Sequence, residues 1–211
     1  MYNELYSEDV GSFFRSPVRE IFKKVDLNAI YSFAGGYPDA RTFPLEDIKA
    51  ISSLVIDKYG AKAFQYGATQ GVPELRKAIS ERYGVPVDNI QVTTSSQQGI
   101  DVCTRILINP GDVILTPNPS YLGAIQSFKS YRADIVGLEG FDEESAGVDP
   151  EILAKAKFCY VIPDFQNPSG ETMTLEQRKS LCEMARKYDF IIVEDSPYRE
   201  LRYSGEPVET I

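Results

Sequence analysis

The stretch IQVTTSSQQGIDVCTRILINPGDVILT, residues 90–116, places a helical run between two strand-like runs. Residues 90–94 and 113–116 are short and rich in β-branched side chains, which is typical of strands. Between them, over residues 97–108, apolar side chains recur every three or four positions, and this spacing indicates a helix. The order of strand, helix and strand is the unit from which parallel sheets are built.

The same alternation continues toward the C-terminus. Three further strands are predicted, at residues 135–138, 158–162 and 190–193. Three helices are predicted between these strands. The first covers residues 124–131. The second begins after Asp149, which caps it, with Pro150 in its first position, and the third begins at the capping box Thr174-x-x-Gln177. Two more helices precede the stretch, one starting at Pro44 and one following Gly71. The predicted fold is therefore α/β, with a doubly wound, mostly parallel sheet.

The beginning of the chain has a different character. Residues 1–43 carry scattered aromatic side chains and the turn-rich stretch Gly35-Gly36-Tyr37-Pro38-Asp39. We interpret residues 1–43 as an N-terminal arm or a segment of a small domain that packs on another surface, and residues 44–211 as an incomplete large domain. The length of 211 residues fits one large domain with a small appendage.

Charge and composition exclude several classes of function. With 22 basic and 31 acidic residues, the chain has a formal net charge of −9, which repels nucleic acids and anionic membranes. The sequence contains no histidine. Catalysis by a Ser-His-Asp triad and zinc sites with histidine ligands are therefore excluded, and no metal site is predicted.

Cysteine usage and hydropathy indicate the compartment. Cys103, Cys159 and Cys182 are widely spaced, odd in number and without a CxxC pair, as is typical of reduced thiols. No apolar run reaches the roughly 18 residues that a membrane span needs. The acidic first turns also do not resemble a signal peptide. We therefore expect a cytoplasmic protein without disulfide bonds.

Polar side chains follow the predicted strands, at the edge where open α/β sheets bind ligands. Ser96 and Gln97 come after the first strand and open a helix, whose free N–H groups and dipole favour a phosphate. The simpler interpretation is that Ser96 only caps this helix. Tyr121 follows the second strand in a proline-rich loop, either as a flat platform for a planar ligand or as a side chain that closes the core.

An amide side chain follows the fourth predicted strand, and a carboxylate side chain follows the fifth. Asn167 follows the fourth strand in an Asn-Pro-x-Gly motif, which on its own is an ordinary turn. Asp195 follows the fifth strand, and a buried carboxylate at this place is costly without a cation. One candidate partner is Arg199, and the other is the positive charge of a bound ligand. Tyr198, three residues after Asp195, is placed to point its hydroxyl at the same ligand.

Taken in order, these motifs resemble the class I and II aminotransferases, the fold-type I enzymes that use pyridoxal 5′-phosphate (PLP). The matching segments are FAGGYPD (33–39), FP (43–44), QYG (65–67), GVPELR (71–76), SSQQ (95–98), NPSY (118–121), NPSG (167–170) and EDSPY (194–198). The opening segments are most similar to the branch that contains the 2-aminoadipate and kynurenine aminotransferases.

The resemblance implies a role for each residue at the strand ends. Residues 96–97 match the loop that holds the PLP phosphate, and Tyr121 matches the tyrosine that stacks on the pyridine ring. Asn167 and Tyr198 match the residues that hydrogen-bond the phenolic oxygen of the ring. Asp195 matches the carboxylate that pairs with the pyridine nitrogen and keeps it protonated, which makes the ring a better electron sink.

Two further positions are assigned only by the resemblance. Tyr66 matches a residue that reaches the phosphate of the neighbouring subunit, which implies a homodimer with shared sites. Gly36 falls where the arm of these enzymes closes over the substrate carboxylate. The implied activity is the transfer of an amino group between an amino acid and a 2-oxo acid, within amino-acid metabolism and biosynthesis.

The chain departs from the family at the lysine that forms the Schiff base with PLP. In the family this lysine lies beyond the segment that matches residues 194–198, and neither it nor the substrate-binding arginine has a counterpart here. Lys155 and Lys157 precede their strand and are no substitute. We therefore expect a truncated aminotransferase, inactive alone, with an unpaired sheet edge and marginal stability. An in-frame Ser-x-x-Lys segment after codon 211 would support this expectation.

Three other interpretations stay open. A lyase or decarboxylase of the same fold would use the same cofactor-binding residues, because the reaction type depends on substrate contacts outside these motifs. A ligand-sensing transcription regulator with an aminotransferase-like domain is disfavoured by the short arm and the negative charge. A non-catalytic α/β module, in which Asp195 pairs with Arg199, describes what this chain would do alone.

Overall fold

The computed structural model describes residues 38–211 without a gap, together with residues 5, 6, 10, 20, 24, 25, 30 and 36. The chain divides into two compact units, one formed by Arg15–Thr93 and the other by Met1–Phe14 with Thr94–Ile211. Most of the predicted arm, residues 1–43, lies outside the described residues. The arm and its boundary with the large domain therefore stay predictions.

Two α-helices lie in the described part of the Arg15–Thr93 unit. Helix α1 covers Leu45–Tyr59, and helix α2 covers Pro73–Tyr83. Gly84 ends α2 in the left-handed conformation, with a φ of 67°. Both helices confirm the sequence prediction, except that Pro44 precedes α1 instead of opening it.

The predicted first strand, residues 90–94, is not a strand in the part of the chain that the structure describes. Ile90 is extended, and the N–H of Val92 donates to the carbonyl of Gln70 at 2.9 Å, but no described strand pairs with the segment. β-branched residues favour an extended backbone, whereas a strand also needs a neighbouring ladder. Gly71 has a φ of 108°, and a Cβ there would lie 2.6 Å from Val92, so this position requires glycine.

The second unit is built on a four-stranded parallel sheet. Its strands are β1 (Val113–Pro117), β2 (Asp134–Leu138), β3 (Ala156–Val161) and β4 (Ile191–Glu194), in the order β2-β1-β3-β4. All three pairings are parallel, which confirms the predicted α/β fold. The strand bounds differ from the sequence prediction by only one or two residues.

Helices cover both faces of this sheet. They are α3 (Ser96–Leu107), α4 (Leu122–Ser130), α5 (Pro150–Leu153) and α6 (Leu175–Tyr188). Phe158 of β3 packs in one core cluster with Phe128 of α4, while its neighbour Cys159 packs in the other cluster with Leu181 of α6. Successive side chains of a strand thus reach opposite cores, as a doubly wound sheet requires.

The predicted helix caps are present at α5 and α6. The Asp149 carboxylate accepts the N–H of Glu151 at 2.8 Å. Thr174 and Gln177 form the reciprocal capping box that opens α6. None of the helices in the described residues combines the length and the hydrophobicity that a membrane crossing demands.

The sheet register brings the carboxyl ends of the strands to one edge. Pro117 lies opposite Leu138, and Val161 lies opposite Glu194. The residues that directly follow β1, β3 and β4 therefore share this edge, where parallel α/β sheets bind their ligands.

Candidate functional site

Asp195 lies at the carboxyl edge of the sheet, directly after β4. Its backbone N–H donates to the carbonyl of Val161 at 2.9 Å, which holds it beside the end of β3. The hydroxyl of Tyr160 donates to Oδ2 of Asp195 at 2.7 Å. Tyr160 is fully buried and Asp195 is half-buried, so this hydrogen bond is partly shielded from water.

The Asp195 carboxylate has no cationic partner among the described residues. Arg199, the partner that the sequence suggests, lies in a short 3-10 helix, Arg199–Leu201, and forms no ion pair with it. Burial raises the pKa of Asp195 above its ordinary value, and the hydrogen bond from Tyr160 opposes this rise. Oδ1 accepts no hydrogen bond from the described residues, and it is therefore open to a cationic ligand.

Two further tyrosines lie near this pair. Tyr121 and Tyr198 both pack against the core cluster that contains Tyr160. Burial, followed by the charge of Asp195, raises the pKa of the Tyr160 hydroxyl, and Tyr121 and Tyr198 add to the rise. Tyr160 therefore remains protonated and a hydrogen-bond donor. The structure brings three residues predicted from the sequence, Tyr121, Asp195 and Tyr198, around one buried hydroxyl that was not predicted.

The N-terminus of α3 offers free N–H groups. Ser95, rather than Ser96, is the N-cap residue. The N–H groups of Ser96 and Gln97 donate to no acceptor among the described residues, as is usual in a first helical turn. Oε1 of Gln98 accepts the N–H of Thr94 at 2.7 Å and its hydroxyl at 2.6 Å, which fixes the loop before the helix. This arrangement fits an anion such as a phosphate.

Gly123 lies in contact with the side chains of both Gln97, at the start of α3, and Tyr121. The side chain of Gln97 donates from Nε2 to the carbonyl of Gly123 at 3.0 Å. A Cβ at Gly123 would lie 2.4 Å from Oε1 of Gln97 and 2.6 Å from the hydroxyl of Tyr121. Any other residue at this position would displace both side chains. The predicted phosphate-binding and ring-stacking residues thus meet at one glycine, which the sequence did not single out.

Asn167 lies in the loop between β3 and α6, directly after Gln166. It is half-buried, and its side-chain amide makes no hydrogen bond with the described residues. Gln166 is only 8% exposed, and its amide donates to the carbonyl of Pro119 at 2.9 Å and accepts the N–H of Ser169 at 2.7 Å. The sequence does not single out Gln166, because its main partner is 47 residues away.

A buried ion cluster fixes the base of the same loop. Asp164, which is fully buried, pairs with Arg178 at 3.0 Å and with Arg202 at 3.1 Å. Arg178 also donates to three backbone carbonyls, those of Pro163, Met173 and Glu209. This cluster, which the sequence did not indicate, ties the loop to α6 and to the segment after β4.

Tyr66 and Gly36 lie in the Arg15–Thr93 unit. The side chain of Tyr66 is fully exposed. At Gly36, no heavy atom of the described residues lies within 4 Å of the place that a Cβ would take. The roles that the resemblance implies for these two residues stay predictions.

Lys155 and Lys157 lie at the opposite end of the sheet from Asp195. They line a cleft of about 650 Å³ at the amino ends of β1, β3 and β4, together with Asp112 and Asp189. This placement agrees with the expectation that neither lysine serves the carboxyl edge.

The family model for aminotransferase class I and II matches residues 34–211. The chain belongs to this family. The family membership confirms the resemblance found in the sequence.

Relatives of this aminotransferase chain include enzymes of the branch that the opening motif indicates. Aromatic-amino-acid aminotransferase 1 of Thermococcus litoralis is 44% identical over 100% of this chain and 54% of its own length. The 2-aminoadipate transaminase of Thermus thermophilus is 34% identical over 97% of this chain and 52% of its own length. The chain thus spans about half the length of the curated relatives that it matches.

A solved aminotransferase structure has the same fold. The kynurenine aminotransferase of Pyrococcus horikoshii, crystallised in complex with PMP, is 41% identical and superposes with a TM-score of 0.83. The match covers 97% of this chain and 54% of that one. The incomplete, mostly parallel sheet predicted from the sequence is therefore that of a fold-type I large domain.

Proposed function

We propose that this chain is the cofactor-binding part of a PLP-dependent aminotransferase, which transfers an amino group between an amino acid and a 2-oxo acid. The observation that carries the proposal is the Asp195 carboxylate, which is half-buried, accepts a hydrogen bond from Tyr160 on one oxygen and has no cation beside it in the described part of the chain. Burial disfavours the negative charge of this carboxylate, and the positive charge of a protonated pyridine ring would stabilise it. The PMP in the Pyrococcus horikoshii structure supports the same cofactor class.

The residues around the carboxylate fit the other parts of this cofactor. The free N–H groups of Ser96 and Gln97 would donate to its phosphate. The ring of Tyr121, held against Gly123, would stack on the pyridine ring. The amide of Asn167, which has no hydrogen-bond partner among the described residues, and the hydroxyl of Tyr198 would donate to the phenolic oxygen.

Asp195 would hold a proton on the ring nitrogen. When bound, the cofactor supplies an electron sink for the carbanion that forms as the Cα–H bond of an amino acid breaks. A carboxylate against the nitrogen raises the pKa of that nitrogen and keeps it cationic. Because Tyr160 orients the carboxylate before any ligand arrives, this electrostatic pair needs no rearrangement during the reaction.

For the whole protein we propose a cytoplasmic homodimer. Tyr66 would reach the phosphate of the partner site, and Gly36 would lie over the substrate carboxylate, as the family resemblance implies. All three cysteines are free, which supports a reducing compartment. The Schiff-base lysine and the substrate-binding arginine of the family have no counterpart in this chain. Amino transfer is therefore proposed for the whole protein and cofactor binding for this chain.

The substitution Asp195→Asn should lower the pKa of the bound ring nitrogen. In the experiment, the chain is loaded with PLP that carries ¹⁵N in the ring, and NMR follows the protonation of this nitrogen with pH. In the wild type the nitrogen should stay protonated to a higher pH than in the variant, because asparagine offers no negative charge. Asp134→Asn, which neutralises an exposed carboxylate at the start of β2, is the matched control.

Two results would contradict the proposal. A nitrogen pKa that is equal in wild type and D195N would refute the role of Asp195, and a wild-type chain that takes up no PLP would refute the cofactor site. For the whole protein, a screen of amino donors against 2-oxo acids tests the activity. There, D195N should reduce turnover more than it reduces cofactor retention.

A further inference from the structure

Two loops meet at the carboxyl edge of the sheet. The first, residues 117–121, leads from the end of β1 to the start of α4. The second, residues 163–170, follows β3 and is closed by the N–H of Gly170, which donates to the carbonyl of Gln166 at 2.6 Å. Each loop carries one of the side chains that we assign to the cofactor ring.

The side chain of Gln166 connects these loops. Its Nε2 donates to the carbonyl of Pro119 at 2.9 Å, and its Oε1 accepts the N–H of Ser169 at 2.7 Å. Among the described residues, the contact with Pro119 is the only hydrogen bond that joins the two loops. The backbone N–H of Gln166 donates in turn to the carbonyl of Glu171 at 2.8 Å, so the residue is fixed at its backbone and at its amide.

We propose that Gln166 is a positioning residue that sets the distance between Tyr121 and Asn167, and thereby the fit of a flat cofactor ring. The inference rests on the proposed function. Tyr121 follows Pro119 by two residues, and Asn167 follows Gln166 directly, so the hydrogen bond joins the backbones that carry both ring contacts. A ring that stacks on one side chain and hydrogen-bonds the other binds well only where both contacts form at once.

The fold of the second loop does not depend on its contact with Pro119. The cluster of Asp164, Arg178 and Arg202 anchors the base of the loop, and the Gly170 hydrogen bond closes its turn. The contact with Pro119 instead fixes the position of the second loop relative to the first. That relative position matters to a ligand that touches both loops.

The substitution Gln166→Glu removes one hydrogen bond of the Gln166 amide and keeps the other. An ionised glutamate still accepts the N–H of Ser169, but it cannot donate to Pro119 and places an oxygen against that carbonyl. Gln177→Glu is the matched control, because Gln177 accepts the N–H of Thr174 at 2.9 Å in the capping box, and glutamate does the same. Gln166→Met, of similar size and without either bond, replaces the glutamate variant if that variant does not fold.

Two measurements on the 211-residue chain test the inference: the affinity for PLP, and the induced circular dichroism of the bound ring at saturation. The induced signal reports how the ring lies against its neighbours, and a change in overall stability does not alter it. We expect Q166E to bind PLP about tenfold more weakly, the effect of one well-placed hydrogen bond, and to change the induced signal. Q177E should match the wild type in both measurements.

The possible outcomes separate this inference from the proposed function. Wild-type affinity and an unchanged induced signal in Q166E would overturn the inference and leave the proposed function intact. Weaker binding with an unchanged signal would also overturn it, because the ring geometry would then not depend on Gln166. A wild-type chain that takes up no PLP would refute the proposed function, and the inference with it.

Discussion

The Asp195 carboxylate receives a hydrogen bond from the buried hydroxyl of Tyr160, 35 residues earlier in the chain. The ring of Tyr160 cannot move easily, because it is fully buried and forms a T-shaped contact with the ring of Phe128, with a centroid distance of 5.5 Å. The hydroxyl therefore has a fixed position, and it donates to Oδ2, while Oδ1 accepts no hydrogen bond from the part of the chain that the structure describes. A group that binds the open oxygen meets a carboxylate that is already oriented.

The substitution Tyr160→Phe should raise the pKa of Asp195 further above its ordinary value, because the lost hydrogen bond is the interaction that lowers it. A ¹³C NMR titration of the Asp195 carboxyl group in the free chain measures this change. Since a carboxyl group with a higher pKa loses its charge earlier as the pH falls, PLP binding should weaken at a higher pH in the variant. Tyr131→Phe is the control, because the Tyr131 hydroxyl faces another carboxylate, Asp101, at 3.4 Å.

Identical Asp195 titrations in wild type and Y160F would show that the hydrogen bond does not act on the charge of this group. A shift of the same size in Y131F would show that the effect is general to the fold.

Among single residues, the sequence predicts the polar residues at the sheet edge better than the residues that orient them by hydrogen bonds. Asp195 directly follows β4, and Asn167 lies in the loop after β3. Because parallel strands end at a common edge, the positions of both residues could be inferred from local pattern alone. Tyr160 and Gln166 act through partners 35 and 47 residues away. A single sequence carries no signal for such distant pairs, and a tyrosine inside an apolar strand is interpreted as core.

Among the elements, helix ends have the clearest local signals. The capping box at α6 and the left-handed Gly84 after α2 both depend on contacts within a few residues, and the structure has both. The segment 90–94 has the composition of a strand but no partner among the described strands. Strand formation depends on a distant neighbour, and composition cannot supply that information.

The substitution Thr174→Ala should lower the free energy of unfolding of the chain by about 1 kcal/mol, because α6 loses the side-chain acceptor for the N–H of Gln177. Urea denaturation followed by circular dichroism measures the change. Thr174→Ser keeps the hydroxyl and should retain most of the stability. If both variants lost the same amount, the hydroxyl would not be the stabilising group.

For the molecule as a whole, the sheet has an exposed edge. Within the described residues β4 pairs with β3 on one side only, and Ile191 at its start is 51% exposed. An edge strand with unpaired N–H and C=O groups and an exposed apolar side chain is a site for association with other chains. This edge agrees with the unpaired sheet edge that we expected from the sequence.

The substitution Ile191→Lys should therefore reduce self-association of the chain, since a charge at a strand edge opposes edge-to-edge pairing. Sedimentation velocity over a range of protein concentrations measures the monomer fraction, which should be higher in this variant. Leu201→Lys is the control, because Leu201 is similarly exposed, at 58%, but lies in a 3-10 helix outside the sheet. An equal effect of both variants would assign the association to apolar surface in general.

No cation lies beside Asp195 among the described residues, so burial disfavours the charged form of this side chain in the folded chain. Its pKa is raised in the folded chain, so its contribution to stability is complete below the ordinary pKa of a carboxyl group and is lost as the pH rises through the raised value. A ligand that carries a positive charge and binds only the folded chain restores this lost stability and increases the fraction of folded chains. The supply of vitamin B6 would then govern how much of the polypeptide survives in the cell, in addition to how much of it is active.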